Sequence, residues 1–439
     1  MNIQTSKQIK KDAVKKDGMI RVVPLSERNT AKSFADTVTQ KEKTYIINKV
    51  YDLKGETVTL PYGVILLFKG NGLLRNGTII GLNGTIIACK RIFDKVQVKG
   101  TWKCVGNAAW WAQNSEIADG EVCFIQKKVD CSEDIQLALD SAFREIVFPP
   151  LPYYVTDTLV LRKEKRLSFQ GSIMSLSVAE CQPNIKGAAI IFTDKDITLL
   201  RIAVKEGMTF NQASVAIEGG NFDVSLCQHY TKNCIEVRAD DGEKLWGLTI
   251  NTSVKGANPT ADNPYLLPAA NGTGINVNPV ENAEMAGNRA YVSCIRINGL
   301  VSNFGTGIKA TNYMGSSGYE NWVTDMRIDG LIRNCPLAID TNVEDADISA
   351  TIQAGGFFDT ENNGKALIRY TGLFRAAVAS AIYDIQQNHG KWANQYALEI
   401  TKPEATVTAY GSFKSFYLSS IRIAKPCVNG TITGNKKPQ

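Results

Sequence analysis

The short segment "TDMRIDG" carries a charged residue at every second position, namely Asp325, Arg327 and Asp329. Paired carboxylates about 5 to 9.5 Å apart can cleave a glycosidic bond. Asp325 and Asp329, four residues apart on a strand, would be further apart than this unless the strand bends. The alternative is that these residues are solvated partners of Arg296 and Arg327. Three other acidic residues form a second candidate group: Asp240, Asp241 and Glu243.

Aromatic residues precede this segment in "NYMGSSGYENW", which contains Tyr313, Tyr319 and Trp322. Aromatic faces suit sugar rings, and departures from a regular scaffold often carry function. Packing against a neighbouring subunit is the alternative explanation. The ligand-binding candidates are therefore Tyr313, Tyr319, Trp322, Arg327 and Asp329, while no catalytic residue can be named.

The segment that carries these residues is one copy of a repeat. "YVSCIRINGLVSN" at 291–303 matches "WVTDMRIDGLIRN" at 322–334 position by position. Apolar and polar residues alternate within each copy, which is typical of strands with one buried face. Such short strands must stack on further copies to bury their apolar faces. The sequence therefore predicts an all-β solenoid from about residue 146, with Arg327 stacked beside Arg296.

A helix is predicted immediately before the solenoid, over residues 132–144. Ser132 suits an N-cap, and an apolar stripe follows that includes Ile135, Leu139 and Phe143. The first coil of a solenoid exposes unpaired backbone groups and an open apolar interior. We expect this helix to cap that end.

The chain has a basic N-terminal arm. Its net charge is +6, and +4 of this lies in the first sixteen residues. The nearly neutral remainder argues against a nucleic-acid-binding body. The arm either docks onto an acidic protein surface or is a solvated tail. The candidate docking residues are Lys10, Lys11, Lys15 and Lys16.

Composition and spacing predict three regions: an arm and lead over 1–44, a strand-rich domain with Asn-Gly turns over 45–130, and the capped solenoid over 131–439. The ten cysteines include no Cys-x-x-Cys pair and are expected to be small buried residues in a reducing compartment. His229 and His389 lack metal-ligand spacing, so neither a metal nor a cofactor is expected. No apolar run is long enough to span a membrane, and the first twenty residues lack the features of an export signal.

Two segments and one residue pair resemble known proteins. "DCSEDIQLALDSAFREIVFPPLPYYVTDTLVL" at 130–161 resembles the opening of pectate-lyase-like right-handed parallel β-helices, a group that includes phage tailspikes and pectinases. Asn303 and Asn334, one repeat apart, resemble the asparagine ladder of that fold. "YDLKGETVTLPYGVILLFKGNGLLRNGTIIG" at 51–81 is similar to a segment of tail fibres and tailspikes from crAss-like phages that infect Bacteroides-type bacteria.

This resemblance implies a tail fibre or tailspike of a phage virion, made in the host cytoplasm. Such a protein would be a homotrimer that attaches to other virion proteins through its arm and contacts bacterial surface polysaccharide, without binding nucleic acid or entering a membrane. Two alternatives stay open because the same fold carries several functions. One is a polysaccharide depolymerase, either a lyase or a glycoside hydrolase, and the other is a purely structural virion component.

Overall fold

The computed structural model has two compact units. One comprises residues 1–113 and 133–147, and the other comprises residues 114–132 and 148–439. Most of the predicted helix 132–144 is thus grouped with the first unit. The residues that the structure describes are 20–22, 31–117, 125–171, 188–203, 215–227, 229–238, 244–256, 266–267, 272–277, 290–315, 318–343, 345–354, 357–358, 366–371, 375–378, 381–384, 396–401, 406–409, 412–414 and 421–423.

The first unit is built largely from parallel strands. Its helices are Ala31–Thr37, the short 3-10 helix Ala108–Trp110 and Ser132–Asp140, of which only Ser132 is grouped with the second unit. Its strands are Ile20–Val22, Thr44–Ile47, Val50–Asp52, Thr57–Thr59, Ile65–Phe68, Leu73–Ile87, Phe93–Trp102, Gly106–Asn107 and Glu145–Phe148, of which only Phe148 is grouped with the second unit.

These strands form a small parallel solenoid of their own. Thr44 lies opposite Ile65, and Ile65 in turn lies opposite Thr85. Asn76 and Asn83 have φ values of 53° and 60° and sit inside a single long strand. The two Asn-Gly pairs therefore bend the chain at the corners of a coil and do not reverse it into hairpins.

The predicted helix is present but ends at Asp140. The Ser141 hydroxyl donates to the Ala138 carbonyl at 2.6 Å, which closes the last turn. Phe143 follows the helix and is fully buried. Its ring contacts three tryptophans of the first unit, Trp102, Trp110 and Trp111, at centroid distances of 5.8, 5.7 and 6.3 Å. That the helix also caps the second unit stays a prediction.

The second unit contains three ladders of parallel strands, here called the first, second and third face in the order in which the chain passes through them. The first face runs from Pro152–Tyr154 and Ile190–Phe192, through the ends of three long strands, to Leu331–Arg333, Thr351–Ala354, Ala381–Asp384 and Ser412–Lys414. The second face consists of Leu159–Leu161, Leu200–Ile202, Asn233–Val237, Thr273–Val277, Thr306–Ala310, Leu337–Thr341, Ala366–Tyr370, Tyr396–Ile400 and Ile421–Ile423. The third face runs from Arg166–Phe169, through the beginnings of the same long strands, to Met326–Ile328, Ala346–Ile348, Arg375–Val378 and Thr406–Ala409.

Three long strands cross a corner from the third face to the first face of the next coil: Val215–Asp223, Lys244–Lys255 and Ala290–Ser302. Four short pairing segments lie outside the ladders of the second unit: Glu116–Ile117 with Ile125–Lys127, and Leu266–Leu267 with Phe357–Phe358. Two more strands, Tyr313–Gly315 and Gly318–Val323, form an antiparallel hairpin. Because each ladder is parallel and advances one strand per coil, the second unit is a parallel β-solenoid, as predicted.

The predicted repeat register is confirmed. Arg296 lies opposite Arg327, and Ile297 opposite Ile328, in adjacent parallel strands. The inward residues of the ladders, such as Ile297 and Ile328, are buried and form the core of the unit. The chain turns out of each coil at the buried residues Asn303 and Asn334, whose φ values are 63° and 52°. The Asn334 side-chain amide donates to Asn303 Oδ1 at 2.9 Å, so the predicted asparagine ladder is present between these two coils.

The outward positions of the second face carry a column of mostly charged residues. Two ion pairs in it join adjacent coils, Arg201 with Glu236 at 2.9 Å and Arg369 with Asp340 at 2.7 Å. Arg369 bonds both oxygens of the Asp340 carboxylate, which is the strong bidentate geometry. In order of the coils, the column reads Arg201, Glu236, Asn276, Lys309, Asp340, Arg369, Glu399 and Arg422.

The cysteines follow the prediction only in part. Cys131, Cys227, Cys234 and Cys335 are buried, but Cys89 and Cys294 are exposed. Cys294 has a φ of 54° because it occupies a corner between two strand segments, where its side chain points away from the core. Within the described helices, none has both the length and the apolar character required to cross a bilayer.

Candidate functional site

The outer surface of the third face is bent by residues in the left-handed conformation. Gly247, Cys294 and Asp325 occupy equivalent corners of three consecutive coils, with φ values of 87°, 54° and 51°. This conformation interrupts the strand alternation, and the corner divides the outer surface into two strips. An aromatic strip precedes the corner and a polar strip follows it.

The aromatic strip contains a stacked ring pair. Trp246 and Tyr291, from adjacent coils, have centroids 5.9 Å apart and ring planes inclined by only 24°. Both side chains are partly exposed. In the next coil the backbone of Trp322 lies opposite Tyr291. The strip therefore places aromatic positions on three successive coils.

Two other predicted residues belong to a hairpin beside this strip. Tyr313 lies opposite Asn321, and Tyr319 lies opposite Met314, in the antiparallel pair Tyr313–Gly315 and Gly318–Val323. Asn312 closes the base of the hairpin, since its side-chain oxygen accepts the Val323 amide. The backbone thus places the positions of Tyr313, Tyr319 and Trp322 in one hairpin at the edge of the third face, and a role for them in ligand binding stays a prediction.

The polar strip is organised around two stacked arginines. Arg296 and Arg327 are exposed and occupy the same outward column on adjacent coils. Arg327 Nε donates to Asp329 Oδ2 at 2.8 Å. Thr249 precedes Arg296 in this column, and Asp347 follows Arg327. Arg327 and Asp329 therefore lie together, and their role in ligand binding stays a prediction.

Asp329 is held in its ionised form. Partial burial alone would raise its pKa, but hydrogen bonds from Ser349 and Arg327 and the charges of Arg327 and Arg296 outweigh this and lower the pKa. The pKa of Arg327 is raised, chiefly by its hydrogen bond to Asp329 and also by the charge of Asp347. An ionised carboxylate and a guanidinium can accept from and donate to the hydroxyl groups of a sugar.

Sequence reasoning missed Trp246 and Tyr291. Trp246 lies in "LWGLTIN", which is related only loosely to the repeat that contains Arg296. Its partner strand begins more than forty residues later, because the loops between the coils differ in length. The sequence does carry one signal, which is an aromatic residue just before the apolar strand residues of each repeat. Without knowledge of the strand register, Trp246 could not be aligned with Tyr291.

Several predicted positions lie outside the described residues. These are the docking candidates Lys10, Lys11, Lys15 and Lys16, the acidic group Asp240, Asp241 and Glu243, and the histidine His389. His229 is exposed. In the described part of the chain, no three histidine, cysteine or acidic side chains come together in a way that could hold a metal ion.

The fold and site define a parallel β-solenoid with an aromatic and charged outer face. No protein-family model matches the sequence, and no curated protein matches it. Among solved structures, the chain is similar to the full-length tailspike protein 2 of the Escherichia coli O157:H7 bacteriophage CAB120, with 11% sequence identity and a TM-score of 0.24. The match covers 91% of this chain and 46% of the tailspike chain, so this chain spans about half the length of that protein. Because the sequence identity and the TM-score are this low, the assignment of the solenoid fold depends on the strand pairings alone.

Proposed function

We propose that this chain belongs to a phage tail fibre or tailspike, and that the outer surface of its third face binds polysaccharide on the bacterial surface. The observation that carries the binding proposal is the Trp246–Tyr291 ring stack beside the Arg327–Asp329 ion pair. Aromatic rings present large apolar faces to a sugar, while the charged pair offers polar contacts. The phage assignment rests on the resemblance of residues 130–161 and 51–81.

A panel of immobilised bacterial surface polysaccharides tests the binding proposal. Trp246→Ala is expected to weaken binding of the best panel member about tenfold, because a ring face worth about 1.4 kcal/mol is removed. The matched control is Tyr62→Ala, which removes an aromatic ring that is 46% exposed in the first unit. Equal losses in both variants, or no binding by the wild-type chain, would overturn the proposal.

The same proposal assigns virion docking to the arm lysines and a trimer to the assembled protein. Both assignments rest on the sequence resemblance and on the excess of positive charge in the arm. They are tested by deleting residues 1–20. The deletion is expected to leave the β-structure of the purified protein intact while preventing its incorporation into particles. Normal incorporation would contradict the docking role.

A further inference from the structure

We infer that the polysaccharide bound at the third face is anionic and that Arg296 binds its carboxylate or phosphate groups, an inference that rests on the function proposed above. Arg296 and Arg327 are stacked on adjacent coils, about 4.8 Å apart at the backbone. Two like charges at this spacing repel each other unless counter-charges are nearby. The positions of the acidic groups around the two arginines therefore show which arginine lacks a paired counter-charge.

The neighbouring acidic groups pair with Arg327, while the charge of Arg296 acts on Asp329 only through space, without an ion-pair contact. Asp329 is bonded to Arg327, and Asp347 follows Arg327 in the column. On the opposite side, Arg296 is adjacent to the uncharged Thr249. Arg296 is exposed, and no carboxylate of the described residues lies within ion-pair distance of it. The guanidinium of Arg296 is therefore available for an external anion.

The position of Arg296 suits one ligand that also contacts the aromatic strip. Arg296 and Tyr291 belong to the same strand, Ala290–Ser302, five residues apart and on either side of the bend at Cys294. The Cα atoms of the two residues are therefore separated by less than about 17 Å. A guanidinium binds carboxylate or phosphate groups through two parallel hydrogen bonds. An extended acidic glycan could lie across the rings and reach this guanidinium.

Polygalacturonate and its carboxyl-reduced, neutral form provide the test. Arg296→Gln is expected to weaken binding of polygalacturonate about tenfold and to leave binding of the reduced polymer unchanged, because only the charged contact is lost. Arg296→Lys should fall between wild type and Arg296→Gln, since it keeps the charge but not the planar fork. Arg166→Gln is the matched control, because Arg166 is in the same column three coils away and is paired with Glu218.

The outcomes separate this inference from the proposed function. Equal polygalacturonate binding by wild type and Arg296→Gln, or a wild-type preference for the reduced polymer, overturns the inference. If Trp246→Ala then still weakens binding of the neutral polymer, the proposed function stands. If the wild-type chain binds neither polymer and no member of the polysaccharide panel, both fail. Binding of single-stranded DNA as tightly as polygalacturonate would show a general anion site and would also overturn the inference.

Discussion

At the scale of single residues, the buried pair Asn303 and Asn334 has two functions. Each residue adopts the left-handed conformation at a corner, and together they form one hydrogen bond between coils. Asparagine is one of the few residues other than glycine that tolerates this backbone conformation. Its amide also supplies both a donor and an acceptor, which allows identical residues to bond in a stack. The sequence could predict this pair because both positions carry the same residue in two aligned repeats.

Replacement of Asn334 tests these two functions. Asn334→Ala removes the bond to Asn303, which costs about 1–3 kcal/mol, and strains the backbone by a further 1–2 kcal/mol or so. Asn334→Gly removes the bond without the strain and should lose less of the free energy of unfolding. Urea unfolding measures both losses. Wild-type stability in both variants would show that the amide pair does not stabilise the corner.

A second residue, Asp194, makes stability depend on pH. Partial burial would raise its pKa, but hydrogen bonds from Lys128 and Tyr154 and the charges of Lys128 and Lys195 lower it to about 2. In the unfolded chain, the pKa of the Asp194 carboxyl group is near its ordinary value of 3.8. A carboxyl group whose pKa is lower in the folded state contributes stability above the unfolded pKa, and this is lost as the pH falls towards the folded pKa.

We therefore expect Asp194→Asn to lower the free energy of unfolding at pH 7, with the difference from wild type shrinking between pH 4 and pH 2. Denaturant unfolding at a series of pH values measures the difference. The control is Asp157→Asn, which removes an exposed carboxyl group from the coil before that of Asp194. A difference that stays constant over the whole pH range would contradict the role assigned to the Asp194 carboxylate.

At the scale of elements, the corners of the solenoid require glycine for two separable reasons. Gly330 has a φ of 89°, and a Cβ atom there would lie 2.4 Å from the Gly299 carbonyl oxygen of the previous coil. Gly55 has a similar φ of 81° but open space around its Cα atom. The first position combines backbone strain with a steric clash, while the second has the strain alone.

Gly55→Ala should therefore cost about 1–2 kcal/mol, which is the strain of a left-handed residue. Gly330→Ala should cost more than about 4 kcal/mol, because two strands that are hydrogen-bonded to their neighbours would have to separate. Thermal unfolding of the two variants compares the losses. Equal shifts in Tm would show that adjacent coils move apart easily at this corner.

The elements were predictable where the sequence repeats at a constant interval. The strands around Arg296 and Arg327 and the helix from Ser132 follow from alternation, spacing and an acidic first turn. The solenoid of the first unit could not be predicted from the sequence, because its coils share their spacing but few identical residues. The Trp246–Tyr291 stack was not predictable either, since loops of different length separate Trp246 from its partner strand.

At the scale of the whole molecule, stacked repeats interact only with their neighbours, so a complete coil should be removable. Deletion of residues 304–334 joins Asn303 to Cys335, which reproduces the native junction of Asn334 with Cys335. The remaining strands can pair in register, since the deleted strands and their neighbours share the same ladders.

We expect the deleted protein to keep a β-rich circular dichroism spectrum and a cooperative thermal transition. The control deletes residues 304–319, about half of a coil, which shifts the inward positions of the following strands out of register. The control should lose the cooperative transition. Similar transitions in both deletions would mean that coil register does not determine stability here.

The ion pairs on the second face have a mechanical consequence. The hydrogen bonds of a parallel ladder run along the stacking axis, so a pull along that axis loads the contacts between coils directly. Arg201 with Glu236 connects the second and third strands of this ladder, and Arg369 with Asp340 connects the sixth and seventh, as short electrostatic cross-links. Salt screens the two pairs only in part, because the carboxylates of Glu236 and Asp340 are buried while the side chains of Arg201 and Arg369 are 34% and 42% exposed. Under tension, we expect these two junctions to open after the intervening junctions of the second face, which carry no ion pair among the described residues.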